Sequence, residues 1–191
     1  AGLVATAATF GLGTTVVWHL HDLLPRHPLS SAIRVFAFLF ARSRMIAVSE
    51  AVANNFSGRL FSLRNRVSVI LNGIDMQPFQ QPANSRDATR FELELTDSDQ
   101  VVGIVGQLTA RKGQLELIET FPEVLQNMPH AVLLIVGAPL FNRDFAYEQT
   151  LKATACRLGI EDRVRFLGER EDVPALMRAM DLLVVNSIVE P

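Results

Sequence analysis

Apolar residues in this chain come in short unbroken runs, and most runs are followed by a stretch where apolar positions recur every three or four residues. That alternation predicts strands followed by helices. Ala1 to Phe10 is small and apolar and reads as the end of a helix, punctuated by Gly11 and Gly13. Thr14 to Leu20 reads as a strand, Ser30 to Arg42 as a helix, and Met45 to Val48 as a short buried strand. Ser49 is suited to cap a helix running through Ala51, Val52, Phe56 and Leu60. Val67 to Leu71 is again a strand, closed by the turn pair Asn72-Gly73.

A second series follows a break. Residues 77–86 hold two prolines and little that could enter a core, which predicts a connector between an N-terminal part, 1–76, and a C-terminal part, 87–191. Asp87 to Leu95 reads as a short helix. Strands are then expected at Val101–Val105, Val132–Val136, Val164–Leu167 and Leu182–Val185, with helices at Gly113–Asn127, Tyr147–Leu158 and Val173–Met180. Because the strands are continuously apolar, they fit parallel sheets covered on both faces. Strand–helix alternation with short connections gives right-handed βαβ units, so the expected fold is α/β, with two parallel-sheet halves in tandem.

Composition narrows the classes. Of 191 residues, 49% are hydrophobic and 20% charged, so a packed core forms and global disorder is excluded. A formal net charge of −2 argues against a nucleic-acid partner, which calls for a basic footprint. The single cysteine, Cys156, excludes a disulfide scaffold and a cysteine-rich zinc site and fits a reducing compartment. The longest apolar run, Val35 to Ala41, is too short to cross a bilayer, and no signal-peptide pattern opens the chain; the expected location is cytoplasmic.

In open parallel sheets, ligands bind beyond the carboxyl ends of the strands. In the second series that rule selects Gly106-Gln107, Gly137-Ala138, Gly168-Glu169 and Asn186 to Glu190; in the first, His19 to Asp22, Ser49-Glu50 and Asn72 to Asp75. Within Val101 to Gly113, a strand leads through a glycine-punctuated loop to Arg111 and Lys112 at the mouth of a helix. Cations are unfavourable at that end of a helix, unless an anion such as phosphate sits among them and the backbone amides. Two solvated loop cations are the plain alternative, and Gly106 and Gly113 favour the anion by letting the backbone approach it. His19 and His21, two apart, face one side if the strand persists; a substrate-contacting histidine and a structural one remain the alternatives, with a metal site behind both. Glu190 could accept from sugar hydroxyls or be a surface residue. Around Arg34 to Arg44, with Phe36, Phe38 and Phe40, burial explains the apolar character first. Docking on an anionic membrane through Arg34, Arg42 and Arg44 comes second.

Several segments together resemble the retaining glycosyltransferases of family 4, which have the GT-B fold. They are Val17-Trp18-His19-Leu20-His21-Asp22, Ile46 to Val52, Leu71-Asn72-Gly73-Ile74-Asp75, Gly106-Gln107-Leu108-Thr109-Ala110-Arg111-Lys112-Gly113, Leu134 to Gly137, Val164 to Gly168 and Ser187-Ile188-Val189-Glu190-Pro191. The resemblance covers almost the whole chain in the family's order. It implies two Rossmann-like domains, acceptor-side first and nucleotide-sugar-side second, both incomplete here. Lys112 and Arg111 would grip the donor diphosphate, Gly106 would lie close to it, and the backbone of Phe166, Leu167 and Gly168 would lie against the base. Glu190 would touch the donor sugar, His21 would stand near the reacting sugar, and Asn72 would mark the crossover between domains. Gln107 departs from the arginine many members carry there. A second glutamate, expected eight positions after Glu190, is absent, as is the glycine-rich start of the first domain; the chain alone is therefore expected to be inactive.

The implied reaction moves a sugar from a nucleotide diphosphate donor to a saccharide, lipid or small-molecule acceptor hydroxyl with retention. No cofactor or metal is expected, and peripheral contact with the inner face of the membrane is the one macromolecular association considered. A nucleotide-sugar epimerase on the same fold and a non-catalytic nucleotide-sugar-binding module are the alternatives.

Overall fold

The computed structural model describes residues 2–39, 44–58, 61–81, 84–140 and 142–188, and it divides into two compact units, Ala1–Ile74 and Asp75–Glu190. In the first, helix α1 (Gly2–Ala8) precedes strand β1 (Val17–Leu20), helix α2 (Pro28–Leu39), strand β2 (Arg44–Ala47), helices α3 (Glu50–Ser57) and α4 (Phe61–Arg64), and strand β3 (Val67–Val69). The strands form a parallel sheet in the order β1-β2-β3, with Trp18 opposite Met45 and Met45 opposite Val67. These three side chains, with Val52, Phe56 and Leu63, make the core. Trp18 meets the Phe56 ring edge-on at 6.0 Å, and its indole N–H donates to the Thr6 hydroxyl over 2.9 Å, so its one polar atom is satisfied where it is buried.

Ser49 caps α3 as expected: its hydroxyl accepts from the Val52 amide at 3.2 Å. The helix ends at Ser57 because Gly58 takes a positive φ of 56°, earlier than the expected run to Leu60, which lies outside the described residues. Helix α2 turns Ala37, with Ile33, Phe36 and Phe38, against this core, in line with the burial expected first, whereas Leu29, Val35 and Leu39 are exposed. Arg34 does not project outward for an anionic surface. Its guanidinium donates to the carbonyls of Phe56 and Asn55, each at 2.9 Å, and thereby satisfies the end of α3. Arg44 is exposed, and Arg42 and Phe40 lie outside the described residues.

The second unit runs α5 (Gln77–Gln80), α6 (Arg86–Glu92), β4 (Gln100–Val105), a 3₁₀ turn (Ala110–Lys112), α7 (Gln114–Asn127), β5 (Ala131–Val136), α8 (Asn142–Arg157), a second 3₁₀ turn (Glu161–Arg163), β6 (Val164–Gly168), α9 (Val173–Ala179) and β7 (Leu182–Leu183). The stretch 77–86 is therefore not plain coil: α5 lies within it and belongs to this unit. The sheet is parallel throughout, in the order β6-β5-β4-β7.

Continuous apolarity in the strands resolves into two faces at period two. Val102, Ile104, Leu133 and Ile135 pack on Ile118 and Phe121 of α7 and Leu151 of α8. Val101, Val132, Leu134 and Val136 pack on the other side against Leu93, Leu176 and Met180. All six residues of β5 are buried. Each large side chain removed from water there contributes about 1.5–3 kcal/mol.

At the amino edge of the sheet a buried guanidinium closes the structure. Arg90 donates to the carbonyls of Ala179, Thr96 and Asp99. Asp181 accepts from the Val101 amide at 2.7 Å and pairs with Arg86 at 2.6 Å. This polar cluster lies away from the strand tips and serves stability.

Candidate functional site

The carboxyl tips of the second sheet form one surface, built from backbone. The Gly106 amide donates to the Val136 carbonyl at 2.9 Å, Leu108 to Ala138 at 3.1 Å, and Gly137 to Gly168 at 2.7 Å. Gly106, Gly137 and Gly168 all have positive φ, at 150°, 136° and 68°. In β6 the register slips between Ile135 and Val136, which face Phe166 and Gly168, so Leu167 is the extra residue of a bulge. Phe166 turns its ring toward α8, where Lys152 lies 5.6 Å from the centroid.

Arg111 and Lys112 stand in the 3₁₀ turn that leads from the β4 tip into α7. Lys112 is half-buried and Arg111 exposed. The Lys112 stem runs over Gly106: a Cβ added there would lie 3.7 Å from Lys112 Cε. The same lysine lines a hollow of about 240 Å³ with Ile104, Val105, Met177 and the 183–187 segment. Gly113 joins the turn to α7 in a left-handed conformation, φ 72° and ψ 24°. An ammonium, a glycine backbone and the positive end of a 14-residue helix thus converge at one strand tip. That convergence can hold an anion.

Three side chains brace this turn, in roles that sequence reasoning missed. Gln114, 1% exposed, donates through Nε2 to the Gln107 carbonyl at 2.9 Å. The Tyr147 hydroxyl accepts from the Leu115 amide at 3.1 Å and donates to Gln114 Oε1 at 3.4 Å. The third partner is Asn186, whose side-chain amide donates to the Gly113 carbonyl at 2.9 Å, while the Ile188 amide donates to Arg111 at 2.9 Å. Buried glutamine in the first helical turn was a readable signal; the pairings across 33 and 73 positions were not.

A larger hollow, about 400 Å³, lies elsewhere in the second unit, lined by Gln77, Gln81, Asn84, Glu171 and Asp172 among others. Its charge has the wrong sign for phosphate. Asp172 is hydrogen-bonded by Arg170, which holds its carboxyl below the ordinary value and keeps it anionic.

In the first unit, β1 ends at Leu20 and the next residue continues its alternation. Trp18 is buried, while His19 and His21 are exposed on one side with ring centroids 4.2 Å apart. Among the described residues no three His, Cys, Asp or Glu side chains gather as a metal-binding group. Asn72 is exposed in the loop after β3. Glu190 lies outside the described residues.

Comparison with known proteins matches both parts of the chain. The family described as Glycosyl transferases group 1 matches residues 85–191, and Glycosyltransferase Family 4 matches residues 1–78. The lipopolysaccharide core biosynthesis mannosyltransferase LpsB of Rhizobium meliloti is 31% identical over 117 residues, 61% of this chain and 33% of that protein. A GDP-mannose-dependent monoacylated α-(1-6)-phosphatidylinositol monomannoside mannosyltransferase of Corynebacterium glutamicum is 36% identical over 118 residues, 60% of this chain and 29% of its own. Anabaena Alr3699/HepE, solved in complex with UDP, superposes with a TM-score of 0.82 at 34% identity, covering 99% of this chain and 51% of that one. The chain thus spans about a third of the length of those curated relatives and about half of the solved structure. Its α/β architecture is that of the GT-B glycosyltransferases.

Proposed function

On the premise that the chain belongs to the glycosyl transferases group 1 family, we propose that it is part of an enzyme moving a sugar from a nucleoside diphosphate sugar to an acceptor hydroxyl, with retention of configuration. The observation that carries this reading is the Lys112 stem lying over Gly106 at the entrance of α7. Bond breaking leaves negative charge on the departing diphosphate. A pre-positioned ammonium and helix amides stabilise that charge more than they stabilise the bound donor, and the difference lowers the barrier. Arg111 serves as the outer cation and Gln107 lines the same loop. The backbone of Phe166, Leu167 and Gly168 meets the base. Glu190 binds the donor sugar, His21 stands near the reacting sugar, and Asn72 marks the crossover between domains.

Lys112, Arg111 and the α7 dipole meet the phosphate charge without a metal ion. Departure and attack on one face of the sugar is the mechanism we favour. The donor base stays open, since one similar protein is GDP-mannose-dependent and another was solved with UDP. The acceptor is a saccharide, a lipid or a small molecule, the location is cytoplasmic, and contact with the membrane is peripheral.

The test is Lys112→Ala in the full-length protein, assayed for sugar transfer from UDP- and GDP-sugars. Turnover should fall by about 10²–10³-fold, as on losing one charge-stabilising donor. An unchanged rate overturns the reading. The anomeric configuration of the product, read by proton NMR, decides retention.

A further inference from the structure

Gly113 needs a lock that its own side chain cannot provide. A Cβ there would overlap the Asn186 carbonyl oxygen and sit 2.7 Å from Asn186 Nδ2 and 3.0 Å from Cγ, so only glycine fits. Glycine, however, has a wide choice of backbone conformation. Any rotation at Gly113 swings the preceding residues, Arg111 and Lys112, relative to α7. Four hydrogen bonds limit that rotation: Leu117 N–H and Asn186 Nδ2–H to the Gly113 carbonyl, at 3.2 and 2.9 Å, Gly113 N–H to the Ala110 carbonyl at 3.2 Å, and Ile188 N–H to the Arg111 carbonyl at 2.9 Å. One carbonyl with two lone pairs accepts the first two together.

We infer that Asn186 is a positioning residue: its carboxamide, anchored after β7, fixes the left-handed Gly113 and so sets where Lys112 presents its ammonium to a diphosphate. This rests on the transferase reading above. Asn186 is itself exposed, so losing its amide bond costs the global fold little and costs the local geometry of the turn much more. The bond also couples the chain leaving β7 to the cation turn.

The experiment is a double-mutant cycle on the full-length protein with UDP and GDP as calorimetric probes. Asn186→Ala should weaken the tighter nucleotide about fivefold to tenfold while the unfolding midpoint moves by less than about 2 °C. In a Lys112→Ala background the same change should cost less than about twofold, because the group being positioned is gone. Additive effects, or unchanged affinity in Asn186→Ala, overturn the positioning role. Should Asn186→Ala unfold the protein, the same-shape Asn186→Asp, which cannot donate, decides by the same criterion. If neither nucleotide binds, or Lys112→Ala binds as well as the unmutated protein, the transferase reading itself fails. A Lys112 effect with an indifferent Asn186 removes only the positioning.

Discussion

A Cβ on Gly137 would overlap the carbonyl oxygen of Gly106, so the tips of the two central strands of the second unit touch backbone to backbone. Gly137 also has a φ of 136°, where a side chain is strained in any case. Its backbone amide is engaged by Gly168, which prevents it from retreating.

Gly137→Ala should therefore displace the Gly106 loop and with it the floor beneath the Lys112 stem. The expected cost is more than about 2 kcal/mol of stability, with nucleotide affinity lowered at least tenfold. Gly73→Ala is the control, since open space surrounds a Cβ there and its stability should be nearly unchanged. Chemical unfolding of both variants checks the contrast; equal stabilities would refute it.

Acid stability should depend on the cluster at the amino edge of the sheet. Burial pushes the Asp181 carboxyl up, yet the Val101 amide, with the Arg86 and Arg90 guanidiniums, outweighs it and holds the group below its ordinary value. Asp172 is shifted the same way by Arg170. A carboxyl depressed in the folded state stabilises fully above its unfolded pKa of about 4, and that stability is lost as pH falls through the folded value. Asp181→Asn should lower the free energy of urea unfolding at pH 7 by no more than about 1 kcal/mol, because the side chain is 43% exposed and screened. The two unfolding curves should converge toward pH 3. A gap of equal size at both pH values would show that the charge is not what matters.

Much of this architecture was legible because burial on both faces writes itself as unbroken apolar runs. Strands β4 and β5 fell where Val101–Val105 and Val132–Val136 predicted them, within a residue. Ser49 announced α3, and period two put His19 and His21 on one side of β1. Helices α4 and α5 were missed, since four residues are too short for a helical period to repeat. The role of Arg34 at the end of α3 was not legible, because nothing local announces the open carbonyls of Asn55 and Phe56 that draw it in. At the site, the cation turn was visible as Gly106 to Gly113, but its bracing was not. Asn186 and Tyr147 reach it only once the chain has folded through 73 and 32 positions.

Tyr147 supplies the buried half of that bracing, and its removal should differ in kind from removal of Asn186. Its hydroxyl takes up the Leu115 amide, one of the helix-start N–H groups that α7 cannot satisfy internally, and also holds Gln114, which in turn holds the Gln107 carbonyl. Tyr147→Phe leaves an amide and a buried carboxamide oxygen without this partner, at an expected cost of about 1–3 kcal/mol. Burial pushes the Tyr147 phenol up; the Leu115 amide opposes the shift and Glu116 reinforces it, so the proton stays on through the neutral range. A phenol raised on folding stabilises below its unfolded pKa of about 10 and loses that contribution only as pH climbs through the folded value. The stability gap between Tyr147→Phe and the unmutated protein should therefore be flat from pH 6 to about pH 9, measured by urea unfolding. A gap that closes within that range, or no gap at all, would mean that the Tyr147 hydroxyl does not support the entrance of α7.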